Sequence, residues 1–440
     1  VSDPLGSGIR WRNWGRSAAA APRHVARPTS VDEVVAVVRA AAERRLPVKA
    51  VGAGHSFTDI AATPGVLIQL DGLQGLVGVD VATKRVRVAA GTRLWRLGPL
   101  LAEHGLALQN MGDIDRQSIA GATSTGTHGT GIRFGGLATQ ITAATLVTGS
   151  GEVLRVSETE RPDLLPAVRL GLGALGILVE VELQCVESFL LRSVDRPRPF
   201  DEVLDGWEGI VAAADHFEFY WWPHTDLAMT QTKSRLPIDT PYTPPNRVAL
   251  WAERRLIENE ALRAQQALGH LIPRAVPGLS RFATGIYGEG ERTAVSYGIF
   301  ASPRLVRFRE SEYAIPFEAL PQALRELRGL VDRNGWRISF PVEVRAAAPD
   351  DNWMSTAYRR PSAYIAVHRY YRDDPTAYFE AFDALMRTYD GRPHWGKMHF
   401  RAADDLRPAY PRFDDFLAVR AELDPERRFA NRYLDRVLGP

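Results

Sequence analysis

The sequence predicts a two-domain α+β protein: one domain in which helices alternate with short strands, and a second built on an antiparallel sheet flanked by helices. Three observations carry this. The chain has 440 residues, more than a single hydrophobic core usually serves. Up to about residue 187 helical and strand-like periodicities alternate, and beyond it aromatic-rich alternating strands mix with long amphipathic segments. We therefore expect domains at 1–187 and 188–400, followed by a C-terminal segment, 401–440.

The elements follow in order. "SVDEVVAVVRAAAERR" places Ser30 and Glu33 at capping-box spacing, so a helix begins near Val31. "LPVKAVG" and "GVLIQLDGL" are short strands bounded by glycine, and "KRVRVAAG" alternates charged and apolar residues at period two. A helix over "RLWRLGPLLAEHG" precedes a glycine- and threonine-rich tract, "GDIDRQSIAGATSTGTHGTGIRFGG". "ITAATLVTGSGEVLRV" reads as a hairpin across Gly-Ser-Gly, and "RPDLLPAVRLGLGALGILVEVEL" as helix, glycine break and strand. In the second domain "HFEFYWWPH", "RISFPVEVRA" and "SAYIAVHRYY" are strands, with helical segments at about 250 to 270 and 317 to 333. "DPTAYFEAFDALMRTY" is an amphipathic helix with Pro375 near its first turn. Proline-rich "RLPIDTPYTPPNR" is a long surface loop or lid.

Composition excludes several classes. Lys+Arg number 54 against 52 Asp+Glu, for a formal net charge of +2, and the basic residues are scattered, so nucleic acid is not an implied partner. The single cysteine, Cys185, excludes an intramolecular disulfide and cysteine-based metal sites; it fits a cytoplasmic protein, the compartment we expect. No apolar run reaches the roughly 18 residues of a membrane span, so no transmembrane segment is expected. The separation of His394 from His399 is not the helical i, i+4 spacing of zinc hydrolases, and no metal is expected.

Five motifs remain. "GLGALG", from Gly171 to Gly176, has the letters of a dinucleotide fingerprint, but a helix precedes it and a strand follows, the reverse of the working order. It reads instead as a close-packed turn that can still touch a cofactor. "VGAGHSF" follows a strand, lacks the third fingerprint glycine, and suits a tight loop whose N–H groups converge on an anion; His55 within it is a reactive imidazole or a bystander. The tract from Gly112 to Gly136 offers a second small-residue surface with hydroxyls at Ser118, Ser124, Thr125 and Thr127. "RPHWGKMH" sets His394 and Lys397 in a turn opened by Pro393, and "FPVEVRAA" puts Glu343 and Arg345 on one face of a strand.

Taken together, "GAGHSFTDI", "QSIAGATSTGTHGTG", "GALGILVEVEL", the "EVR" strand, "HWGK" and the terminal "LDPERRFANRYLDRVLG" resemble the vanillyl-alcohol-oxidase-type flavoproteins. Within them the chain is similar to the aldonolactone oxidoreductases, the L-gulono-1,4-lactone and D-arabinono-1,4-lactone oxidases and dehydrogenases, with alditol oxidases as relatives. The resemblance spans nearly the whole chain and implies an FAD-binding domain, a substrate domain and a C-terminal segment that returns to the first. It implies a covalent bond from His55 to the flavin 8α-methyl group, with Gly52, Ala53, Gly54, Ser56 and Phe57 as one cofactor wall. Gly112, Ser118, Gly121, Ala122, Thr125, Thr127 and His128 would form another, with Ile177 near the adenosine end. Arg345 would hold the reacting hydroxyl of a sugar lactone or polyol, and Glu343 would orient it or take the proton. Hydride would pass to flavin N5, while Lys397 and His394 stabilise the reduced ring. Asp113 and His368 would bind substrate hydroxyls. Asp113 stands where alditol oxidases carry serine, which favours a lactone. Gly112 stands where some relatives carry an alanine that hinders oxygen, so oxygen or another acceptor would take the electrons.

Overall fold

The computed structural model describes residues 4–244, 246, 259–286, 288–302 and 304–440. The first domain holds two main sheets, besides the two-stranded pairs Trp11–Arg12 with Ala19–Ala20 and Leu106–Ala107 with Val186–Glu187. His24–Ala26, Val66–Gln69 and Val48–Val51 form a parallel three-stranded sheet, in that order. The helix Val31–Glu43 lays Val34, Val37, Val38 and Ala41 against its Val48, Val66 and Ile68. Ser30 caps that helix by accepting from the Glu33 N–H at 3.2 Å. The reciprocal half of the expected capping box is displaced by one residue: the Glu33 carboxylate accepts from the N–H of Thr29, at 2.7 Å, instead of that of Ser30. The second sheet is antiparallel, ordered Val153–Ser157, Ile141–Val147, Ile177–Gln184, Arg85–Ala89, Leu76–Asp80. It contains the expected hairpin, and "GLGALG" is the turn between the helix Leu165–Val168 and the strand Ile177–Gln184.

The second domain is an eight-stranded antiparallel sheet. Its order is Gly290–Val295, Phe189–Pro199, Leu227–Pro237, His216–Trp221, Val342–Ala347, Ser362–Tyr370, Phe308–Pro316, Arg392–Pro393. Period-two alternation gives the sheet two unlike faces. Phe217, Phe219, Trp221, Val342, Val344, Ile365 and Val367 point to one side, where the helices Leu320–Arg333 and Thr376–Arg387 cover them with Leu324, Leu327, Phe379 and Phe382. The intervening positions, Glu218, Tyr220, Glu343, Arg345, Glu310 and Glu312, point to the other. The central strands thus turn a run of apolar side chains towards the helices, while the opposite face concentrates buried charge.

Of the helix expected at 250 to 270, the described part is Leu262–Leu271; residues 247–258 lie outside the described residues. A further helix, Val276–Ile286, was not anticipated. In "RLPIDTPYTPPNR" the first three residues end the Leu227–Pro237 strand, and 238–244 form an irregular, mainly exposed segment. Among the described residues no helix is long and apolar enough to cross a membrane.

The C-terminal helices Phe413–Leu423 and Arg432–Leu438 put Phe416, Leu423, Tyr433 and Val437 into one hydrophobic cluster with Val86, Leu97, Ile119 and Leu146. Asn431 fastens this segment. Its amide Nδ2 donates to the carbonyls of Asp59, Ile60 and Ala62 at 2.9 to 3.1 Å, while its Oδ1 caps the last helix at Leu434 N–H. Asn431→Ala removes a cap and leaves these carbonyls short of a donor, so it is expected to lower stability by about 2 kcal/mol. A denaturant midpoint unchanged from the parent protein would contradict this role.

Candidate active site

Two motifs separated by some 340 residues are zipped together. The Phe57 N–H donates to the Gly396 carbonyl at 2.6 Å, and Thr58 Oγ1 to the Trp395 carbonyl at 3.3 Å. The "GAGHSF" loop is also held from the N-terminal side, where the Trp14 N–H donates to the Gly54 carbonyl at 2.8 Å and Asn13 Nδ2 to the Ser56 carbonyl at 2.8 Å. Gly54 adopts φ +66°, a left-handed conformation that glycine takes without cost. Among the described residues, no acceptor meets the backbone N–H groups of Ala53, Gly54, His55 or Ser56. The loop therefore presents a row of donors able to take an anion.

His55 stacks on Trp14 with ring centroids 5.4 Å apart. It lies where a narrow groove meets a large cavity and lines both. Burial, then the positive charges of Arg93, Lys397 and Arg116, lower its pKa to about 4. The imidazole is neutral at neutral pH, with a nitrogen lone pair available for bonding.

The narrow groove is walled by Gly52 to Ser56 on one side and by Ser118, Gly121, Ser124 and Thr125 on another. The walls meet closely: a methyl group on Gly52 would fall 1.9 Å from Ser118 Oγ. Gly171, Gly173 and Gly176 of the turn also line it, so this turn does touch the groove. Two residues expected in the wall turn away from it. Ala122 lies on the core side of the helix Ile119–Ser124, one turn from Ile119, whereas Gly121 and Thr125, four apart, face the groove. Ile177 shares the buried alternation of Val179 and Val181, and its neighbour Leu178 lines the groove instead. Lys49, which the sequence did not single out, also lines the groove. Its Nζ donates to the Gly173 carbonyl at 2.9 Å and to the Phe429 carbonyl at 3.2 Å, tying the glycine turn to the C-terminal segment.

The large cavity, about 740 Å³, is lined by the charged face of the eight-stranded sheet, and Phe57, Gly112, Thr127 and His128 complete its wall towards the groove. Arg345 is only 6% exposed. Its Nε stands 2.9 Å from Glu218 Oε2, and its Nη2 lies 3.3 Å from Asp113 Oδ1 and in close contact with Glu343 Oε1. Arg304 Nη2 meets Asp113 from the other side at 3.3 Å. Burial opposes ionisation of Asp113, but Arg345 and Arg304 outweigh it and hold the carboxyl well below its ordinary range. Glu343 behaves oppositely. Burial, opposed by Arg345 and reinforced by Asp113, Glu218 and Glu310, raises its pKa to about 8. Carboxylates with contrary protonation thus flank one guanidinium, the separation that acid–base chemistry at neutral pH requires.

Lys397 ion-pairs with Glu310 and approaches Glu312 Oε2 at 4.0 Å. Burial works against its charge, yet these carboxylates raise its pKa, so it remains a cation, partly buried in the cavity wall. His394 Nδ1 accepts from the Gly396 N–H at 3.0 Å, and burial lowers its pKa to about 3, so it is neutral. His128 has both ring nitrogens against oxygens, the Gly129 carbonyl at 2.9 Å and Glu312 Oε1 at 3.2 Å, and stacks on Tyr364. His368 donates from Nδ1 to the Pro341 carbonyl at 3.0 Å and directs Nε2 towards Glu310, 3.7 Å away.

The cavity therefore brings together Glu343, Arg345, Lys397, His394, Asp113 and His368 with the His55 loop. Sequence reasoning missed Glu218, Lys233, Glu310 and Glu312. Glu310 and Glu312 stand at i, i+2 of "RESEYAIP", the same alternation that singled out Glu343 and Arg345, so a signal was present. Glu218 and Lys233 lie on different strands, and only the sheet register brings them together.

This architecture is that of a two-domain flavoprotein. Residues 22–157 match the FAD binding domain family. The fold is that of a cholesterol oxidase variant from Brevibacterium sterolicum, with a TM-score of 0.82 at 17% identity over 100% of this chain and 98% of that one. Residues 181–437 match the D-arabinono-1,4-lactone oxidase family. The chain is 45% identical over 430 residues to L-gulono-1,4-lactone dehydrogenase of Mycobacterium tuberculosis, covering 98% of this chain and 99% of that protein. It is 35% identical to L-gulonolactone oxidase of Bos taurus, over 98% of each. The chain belongs to the D-arabinono-1,4-lactone oxidase family.

Proposed function

We propose that the protein oxidises a secondary alcohol of an aldonolactone of the L-gulono-1,4-lactone or D-arabinono-1,4-lactone type, with FAD bound covalently through His55. The observation that carries this reading is the Glu343–Arg345 pair, buried in the wall of a cavity that His55 also lines. The residues fit the cofactor: unpaired loop N–H groups for its phosphates, glycine walls for its length, and a neutral imidazole at the junction. When bound, FAD supplies the two-electron acceptor for the hydride leaving the substrate carbon.

In this reading Arg345 donates to the substrate hydroxyl oxygen and stabilises the negative charge that grows there. Glu343, ionised above pH of about 8, takes the hydroxyl proton. Asp113, held ionised, and His368 accept from or donate to the remaining hydroxyls. Lys397 keeps a positive charge at the rim shared with Phe57, and neutral His394 beside it adds no second cation. Gly112 leaves that wall without a methyl group, and oxygen or another acceptor takes the electrons in the second half-reaction. We assign the cofactor domain to 1–187, the substrate domain to 188–400 and the returning segment to 401–440. A cytoplasmic location accords with the single, buried Cys185.

Steady-state rates with gulono- and arabinonolactones against xylitol and sorbitol test the substrate class; faster turnover of the polyols would overturn it. For the tether, acid precipitation of the parent protein should pellet its yellow colour, and His55→Ala should release it into the supernatant. Flavin that still pellets with the His55→Ala protein would remove His55 as the attachment point.

A further inference from the structure

On the charged face of the eight-stranded sheet, His368 stands opposite Glu310 across the strands Ser362–Tyr370 and Phe308–Pro316, and both line the large cavity. His368 Nδ1 faces the Pro341 carbonyl at 3.0 Å. A carbonyl only accepts, so the proton sits on Nδ1 and Nε2 is left as an acceptor. Phe308, edge-on at 5.0 Å between ring centroids, and Phe340, at 6.1 Å, hold the imidazole in that orientation. On Glu310, Lys397 takes Oε2, and Oε1 is the oxygen that faces His368 Nε2, 3.7 Å away. Burial lowers the pKa of His368 against the pull of Glu310, so the imidazole stays neutral and the two do not close into a charged bond.

Two acceptors thus face the same space, and neither can serve the other. Glu312, next on that face of the strand, differs, because its Oε1 already meets His128 Nε2 at 3.2 Å. A hydroxyl carries one hydrogen, so a single alcohol group satisfies one of the pair. Two hydroxyls on adjacent carbons satisfy both. Glu343 pairs with Ala366, two residues from His368, so the acceptors lie diagonally from Glu343 on the same face, about 7–8 Å along the sheet. Given the aldonolactone reading, we propose that Glu310 and His368 bind the side-chain diol of an L-gulono-1,4-lactone while a ring alcohol meets Arg345 and Glu343. One hydroxyl donates to Glu310 Oε1 and its neighbour to His368 Nε2. A D-arabinono-1,4-lactone carries a single hydroxyl on its side chain and fills only half of this contact.

The test is anaerobic reduction of the flavin in the full, cofactor-loaded protein by L-gulono-1,4-lactone and by its derivatives lacking the C5 or the C6 hydroxyl. Each derivative should react about 10–100-fold more slowly than the lactone, the cost of leaving a buried acceptor without its donor. In Glu310→Gln the amide oxygen faces the Lys397 ammonium, which turns the NH2 towards His368 Nε2 and leaves no acceptor for either hydroxyl. Both penalties should then fall below about threefold, since the bonds that set them are gone. His368→Ala should erase one penalty and keep the other. Lys397→Met should slow reduction and keep both, which separates contact by Glu310 from an effect through the lysine. If the glutamine protein fails to hold its flavin, Glu310→Asp replaces it; this keeps a charge opposite Lys397, draws the oxygens back by one methylene, and should lose one penalty. A parent protein that reacts equally with all three compounds, penalties that survive in the Glu310 and His368 variants, or penalties erased by Lys397→Met would overturn the proposal alone. Flavin that no aldonolactone bleaches would overturn the aldonolactone reading, and this assignment with it.

Discussion

Arg345→Ala is expected to slow anaerobic reduction of the bound flavin by lactone by about 10²–10³-fold, the usual cost of removing a preorganised donor to a developing oxyanion. The effect belongs to chemistry more than to substrate affinity, because the guanidinium acts most strongly when the hydroxyl oxygen gains charge. The substitution also leaves Glu218, Asp113 and Glu343 without their common cation, which threatens folding. Arg345→Lys is therefore the companion variant. It restores the charge and lacks the fork that reaches three carboxylates at once, so its rate should fall between those of alanine and the parent. A rapid-mixing measurement in which the alanine protein, still carrying its flavin, reduces at near the parent rate would remove Arg345 from the reaction.

Glu343→Gln should produce the second large effect, and one with a distinctive pH signature. In the parent the glutamate pKa is raised to about 8, chiefly by burial. Its basic form is scarce at pH 6 and predominates above pH 8, so the reduction rate should climb as pH rises through this range and then level off. Glutamine is nearly isosteric but cannot take a proton. Its reduction rate should drop by about 10²-fold or more and lose the ascending limb. If the limb persists in the glutamine protein, another group titrates and Glu343 only orients Arg345.

These residues were legible in the sequence because "VEVRAA" carries two charges at i, i+2 among apolar neighbours, which fixes them on one face of a strand. The hairpin of Ile141–Val147 with Val153–Ser157 and the helix Val31–Glu43 were legible for the same kind of reason, local period and local turn chemistry. What escaped was set by register. Glu218 and Lys233 approach each other only because Phe217 pairs with Thr232 across two strands, and no local pattern specifies that pairing. Glu310 and Glu312 escaped although their alternation was visible, since the strand Phe308–Pro316 carried no second motif to draw attention to it. Ala122 and Ile177 show the converse limit. A small-residue tract announces a close approach, but which of its side chains face the groove depends on how the helix and strand are rotated against their core.

The central claim is that a lactone bound beside Arg345 and Glu343 gives up two electrons to FAD held at His55. Its most direct test is anaerobic mixing of the yellow protein with L-gulono-1,4-lactone and D-arabinono-1,4-lactone, following flavin absorption. The proposed chemistry requires rapid bleaching with at least one of them, and return of the colour when an acceptor is admitted. A protein that carries FAD and stays yellow with every aldonolactone, or bleaches only with open-chain polyols, would contradict it.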